Sequence, residues 1–138
     1  MSFQLDPRLA GDTRPIGELA LSRLLLMDDA RYPWLVLVPR IAGARELFDL
    51  DGHDRATLLA ELDAVGRAIE TLLRPDKFNI AALGNVVSQL HVHVIARYSA
   101  DAAWPKPVWA HGERVPYEAA ALARRMAELR DALAALFG

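Results

Sequence analysis

Gly84-Asn85-Val86-Val87-Ser88-Gln89-Leu90-His91-Val92-His93-Val94-Ile95-Ala96-Arg97 is the stretch around which the rest of the chain can be ordered. From Val87 to Arg97 it is rich in β-branched residues and reads as a strand. Alternate residues of a strand face the same side, so Leu90, Val92 and Val94 point one way and Gln89, His91 and His93 the other. The first set makes a core face. The second lines up one carboxamide and two imidazoles on a rigid support, neighbours roughly 6.5–7 Å apart. A turn at Gly84-Asn85 comes just before, where glycine permits close backbone approach and the asparagine amide can donate to an oxyanion.

Working outward, Phe78 to Leu83 predicts a strand ahead of that turn. A long helix precedes it, with Asp51 as N-cap, Asp54 in its first turn, and Leu58, Leu62, Val65, Ile69 and Leu72 stacked on one face until Arg74-Pro75. Earlier still, Leu19 to Met27 and Trp34 to Val38 read as an antiparallel hairpin with a connection of about six residues. Residues 1–15 contain Pro7, Gly11, Asp12 and Pro15 and read as irregular, with at most one helical turn. Downstream, residues 98–116 form a loop rich in proline that carries Trp104 and Trp109, and residues 117–137 a C-terminal helix with Pro116 at its first position. Hairpins interrupted by one helix and closed by another define a single α+β domain over residues 1–138, with a mainly antiparallel sheet of about five strands.

Composition narrows the function. The chain of 138 residues is 53% hydrophobic and 25% charged, enough to build one core. Its formal net charge of −2 argues against a nucleic-acid polymer or an anionic membrane as partner. The absence of cysteine excludes disulfides, thiolate metal sites and cysteine nucleophiles, and suits a reducing compartment. No apolar run reaches the roughly 20 residues of a membrane span, and Met1 to Pro7 lacks the pattern of a secretory signal, so the expected location is cytoplasmic.

Histidine titrates near neutrality, so a neutral imidazole can act as nucleophile while its neighbour donates a proton or a hydrogen bond. Two other readings fit the local pattern. The histidines can be structural groups satisfied within a half-buried sheet, or His91-x-His93 can chelate a metal if a third ligand such as His53, His111 or an aspartate converges on them.

Gln89-Leu90-His91-Val92-His93-Val94-Ile95 resembles the signature of the histidine triad (HIT) family, His-φ-His-φ-His-φ-φ with φ hydrophobic, glutamine standing at the first histidine. The hairpin ending in Leu35-Val36-Leu37-Val38-Pro39-Arg40, the helix and the Gly84-Asn85 turn follow in the family's order, so the resemblance covers roughly residues 19–97. It implies a nucleotide hydrolase or nucleotidyl transferase acting at the α-phosphate of adenosine phosphoramidates, dinucleoside polyphosphates or related compounds. The matching nucleophile is His91, which would form a covalent nucleotidyl-histidine. His93 would contact the phosphate and leaving-group region, Asn85 would replace a phosphate-binding glutamine, and Asp28, beside Asp29, would bind the ribose. Gly84 and Arg97 complete the expected substrate contacts.

The resemblance also implies a homodimer and no cofactor or metal. Two departures bear on activity: Gln89 cannot titrate, and Val86 stands where a Ser or Thr often donates to phosphate. Ser88 is expected on the opposite face and would not replace that donor. A nucleotide-binding module of the same fold with little turnover is the alternative they suggest.

Overall fold

The computed structural model describes residues 2–138. Its elements in chain order are α1 (Pro7–Asp12), β1 (Thr13–Glu18), β2 (Ser22–Met27), β3 (Trp34–Pro39), α2 (Gly52–Leu73), β4 (Lys77–Ala81), β5 (Val92–Arg97) and α3 (Ala119–Leu133), with short 3-10 turns at Leu47–Asp49 and Ala134–Leu136. The strands form one five-stranded sheet in the order β1-β2-β3-β5-β4, antiparallel throughout. This is the α+β architecture expected, with its long helix and C-terminal helix. Asp51 caps α2 by accepting the Asp54 N–H at 2.8 Å, and Arg74 ends the helix in the left-handed region at φ 47°, ahead of Pro75.

Strand alternation sorts the side chains onto two faces. Leu24, Leu26, Leu35, Leu37, Val92, Val94 and Ala96 join Leu58, Val65 and Ile69 of α2 and Met126, Leu129 and Leu133 of α3 in the main core. Leu25, Trp34, Val36, Val38 and Ile95 build a second cluster on the opposite face with Leu9, Tyr32, Val87, Ala103 and Val108. That second face is covered by the N-terminal segment and the 98–116 loop rather than by long helices, and there the site lies.

The strand expected over Phe78 to Leu83 runs from Lys77 to Ala81, and four further boundaries differ from expectation. Residues 13–18 form an edge strand, not irregular chain; Pro15 is tolerated there because an edge strand can spare a donor, and the register shifts between Pro15 and Gly17. The first predicted strand starts at Ser22, since Glu61 of α2 accepts the Leu21 N–H at 2.7 Å and the Ser22 N–H at 3.3 Å, shaping the preceding turn. β5 starts at Val92 rather than Val87. Its partner β3 pairs no further than Leu37 opposite Val92, because Pro39 has no N–H to extend the ladder. The last helix begins at Ala119, after Tyr117 has given its N–H to Asp28 Oδ1 at 2.9 Å.

Candidate active site

His91 and His93 occupy the start of β5 and the step before it, buried to 5% and 4% exposure on the second face. Their rings meet edge to face with centroids 4.9 Å apart. Each ring is held in a definite tautomer by a carbonyl, because a carbonyl only accepts. The Gln89 carbonyl lies 2.7 Å from Nδ1 of His91, so Nδ1 carries a proton and the lone pair of the neutral ring falls on Nε2. For His93 the arrangement is reversed. Trp34 Nε1–H donates to Nδ1 at 2.9 Å, and Nε2–H donates to the Leu83 carbonyl at 3.2 Å. Burial, reinforced by the neighbouring His91 and opposed by the Leu83 carbonyl, lowers the His93 pKa to about 4. His93 is therefore a neutral ring with both nitrogens engaged.

Two cavities share His91, Asn85 and no third residue. The larger, about 380 Å³, is lined by Leu9, Met27, Trp34, Leu83, Val86, Val87, His93 and Trp109, with Arg8 and Asp12 contributed by α1. Its size and apolar walls are those of a small-molecule site. Trp109 stands edge-on to His93 and Trp34, with centroids 5.2 and 5.9 Å away. The smaller cavity, about 150 Å³, is polar and lined by Arg45, Glu46, Gly84, Ser88 and Gln89. Gly84 is required between them: a Cβ at this position would lie 2.6 Å from the Val87 carbonyl oxygen and 3.5 Å from Cε1 of His91.

The HIT domain family model matches residues 10–100. The chain belongs to the HIT domain family. Among solved structures, a histidine triad protein from Bradyrhizobium japonicum is 46% identical, with 95% of this chain and 98% of that one covered and a TM-score of 0.92. One from Marinobacter aquaeolei is 45% identical over 99% of each chain with a TM-score of 0.95. A third, from Sinorhizobium meliloti, is 44% identical over 95% and 97% with a TM-score of 0.91. No curated protein matches the chain.

Within this HIT fold the expected residues separate into two groups. His91, His93, Asn85 and Gly84 converge on the cavities, and Gln89 borders the smaller one. Gln89 does not complete a row with the histidines, since the regular strand starts three residues later. Its carboxamide turns to the N-terminal segment, accepting the Asp6 N–H at 2.8 Å and donating to the Gln4 carbonyl at 2.9 Å. Ser88, freed from strand geometry, lines the smaller cavity after all.

Asp28 borders neither cavity: Oδ2 is bound by Arg14 at 3.2 Å and Oδ1 by the Tyr117 N–H, and it is Met27 that lines the larger one. Arg97 likewise lies outside both cavities. It donates to Asp101, Asn79 and the Lys106 carbonyl and lies against the rings of Tyr32 and Trp104.

Arg8, Leu9, Asp12 and Trp34 went unmarked in the sequence. Trp34 was open to detection, because strand alternation puts it on the face of Val36 and Ile95 beside the histidines. The α1 residues carried no such periodicity. Among the described residues, no group of three or more His, Cys, Asp or Glu side chains is placed to hold a metal ion, and no helix is long and apolar enough to cross a membrane.

Proposed function

We propose that this HIT protein hydrolyses a nucleotide phosphoanhydride or phosphoramidate, or transfers its nucleotidyl group, through a covalent intermediate on His91. The observation that carries the reading is the His91 tautomer: Nδ1–H is tied to the Gln89 carbonyl, so Nε2 holds an unprotonated lone pair at the junction of the two cavities. Nε2 attacks the α-phosphorus, a phosphorus–nitrogen bond forms, and the leaving group departs with the electron pair of the broken bond. The ring becomes cationic, and the carbonyl on Nδ1 stabilises it at that moment. Water then attacks phosphorus on the opposite side of the bond to His91, releasing a nucleoside monophosphate and restoring the imidazole. No general base is needed when an imidazole attacks in its neutral form. The Asn85 carboxamide and nearby backbone amides are the donors available to the phosphoryl oxygens. Family resemblance adds a symmetric dimer to the proposal, which sedimentation velocity tests, and the lack of a secretory pattern adds a cytoplasmic location.

The test is to mix the protein with labelled adenosine phosphoramidate, quench by denaturation under alkaline conditions that preserve a phosphorus–nitrogen bond, and map the adduct. Label on His91 supports the mechanism, and label elsewhere overturns it. The engagement of Gln89 and of both His93 nitrogens favours a second reading, a nucleotide-binding module with little turnover. Binding without hydrolysis, unaltered by His91→Ala, would decide for it.

A further inference from the structure

The N-terminal arm, residues 3–12, closes one side of the larger cavity without belonging to the sheet. It is seated by Phe3 and Leu5, which pack on the second core cluster, and by the Gln89 carboxamide. The two backbone groups that Gln89 engages, the Gln4 carbonyl and the Asp6 N–H, flank Leu5 and point the same way in an extended chain. A carboxamide presents one donor and one acceptor side by side and satisfies both at once. An imidazole has ring nitrogens that diverge, so it engages one of them at most. Asp6 then caps α1 by accepting the Arg8 N–H at 2.8 Å, and the turn delivers Arg8, Leu9 and Asp12 to the cavity wall shared with His91, His93 and Asn85.

Charge on that wall is uneven. Asp12 pairs with Arg114 at 3.5 Å, whereas Arg8 has no ion-pair partner among the described residues and its side chain is exposed. A guanidinium free at the mouth of a cavity whose catalytic histidine acts on phosphorus is a binding group for phosphate oxygens.

From these placements we infer that Gln89 is a positioning residue that latches the N-terminal arm over the nucleotide site, and that Arg8 on the latched arm binds the phosphate of the bound nucleotide. The inference rests on the nucleotide reading of the His91 cavity. It gives the glutamine of the signature a role that does not require it to titrate.

AMP binding, followed by the fluorescence of Trp34 and Trp109, and tryptic cleavage after Arg8 in the native protein test the two halves. Gln89→Ala removes two hydrogen bonds and should speed cleavage after Arg8 and weaken AMP binding, each about tenfold. Gln89→His should resemble Gln89→Ala. Arg8→Ala, at an exposed side chain without an ion-pair partner among the described residues, should weaken AMP binding about tenfold, with Arg8→Lys restoring part of it. With a hydrolysable phosphoramidate Arg8→Ala should lower kcat/KM by a similar factor. Wild-type AMP affinity in both Gln89→Ala and Arg8→Ala overturns this inference alone. Failure of the unmodified protein to bind AMP overturns it together with the nucleotide reading.

Discussion

At the start of β5 stand His93 and, one residue before the strand, His91, 4% and 5% exposed; at its end stands Arg97, 1% exposed. All three are polar groups under the same face of the sheet, yet their surroundings differ in one respect. Around Arg97 every partner is supplied: Asp101 takes Nε and Nη2 at 2.7 and 3.0 Å, Asn79 takes Nη1 at 2.7 Å, and the Lys106 carbonyl takes Nη2 at 2.8 Å. Asp101 is completed by the N–H groups of Tyr98, Ala103 and Trp104. Burial alone would raise the Asp101 pKa, but the Arg97 and backbone hydrogen bonds outweigh it and hold it at about 2. At the histidine end, Nε2 of His91 is left over beside two cavities. Burial of a polar group thus says little about function by itself; an unspent lone pair facing open space says more.

The contrast breaks most sharply by truncating the group at each end. His91→Ala should reduce phosphoramidate turnover by about 10³-fold or more while changing stability by no more than about 1 kcal/mol, read by single-turnover kinetics and urea denaturation. Arg97→Ala should do the reverse. It strands a buried carboxylate and should cost about 3–5 kcal/mol of stability, with turnover per folded molecule near that of the parent protein. Arg97→Lys should recover only part of the loss, since an ammonium lacks the planar fork that reaches three acceptors.

Apolar periodicity made the fold legible. The stripe Leu58, Val65 and Ile69 faces the core as spaced, and the alternation of Leu90, Val92 and Val94 against His91 and His93 holds even where the strand has not yet begun. Local pattern could not reveal pairing across the chain. Nothing near Arg97 in sequence tells that Asn79 and Lys106 will meet it, nor does the hairpin tell that Arg14 and Tyr117 will claim Asp28. The same holds for β1, whose Pro15 looks like a breaker until an edge position is known, and for Gln89, whose partners lie 83 and 85 residues away.

A titration sharpens the comparison at the histidine end. His93 has a folded pKa of about 4 against 6.5 for the ordinary imidazole. Between those values the unfolded chain binds a proton that the folded one refuses, so stability rises with pH across the window and is lost as pH falls from 6.5 towards 4. The lost term is of order 3 kcal/mol. Chemical denaturation at a series of pH values should show this slope, and His93→Asn should flatten it. The Asp101 contribution is separable, because its loss belongs to the lower window from 3.8 down to 2.

The smallest expected effect concerns the single hydrogen bond that makes the two histidines unlike. Trp34 Nε1–H fills the Nδ1 lone pair of His93 at 2.9 Å, and a proton can reach that nitrogen only by displacing the indole. Trp34→Phe keeps an aromatic ring between Tyr32 and Trp109 but removes the donor, at a cost of about 1 kcal/mol. With Nδ1 open, the His93 pKa should move upward, and the acid limb of the stability profile should shift to higher pH with it. Nitrogen chemical shifts of the ring report this directly, since a bare and a hydrogen-bonded Nδ1 resonate apart. An unmoved His93 titration in Trp34→Phe would assign its neutrality to burial alone and leave the indole a packing role. A shift would make Trp34 the residue that keeps charge off His93, so that the proposed nucleophile one step before the strand works beside a neutral neighbour.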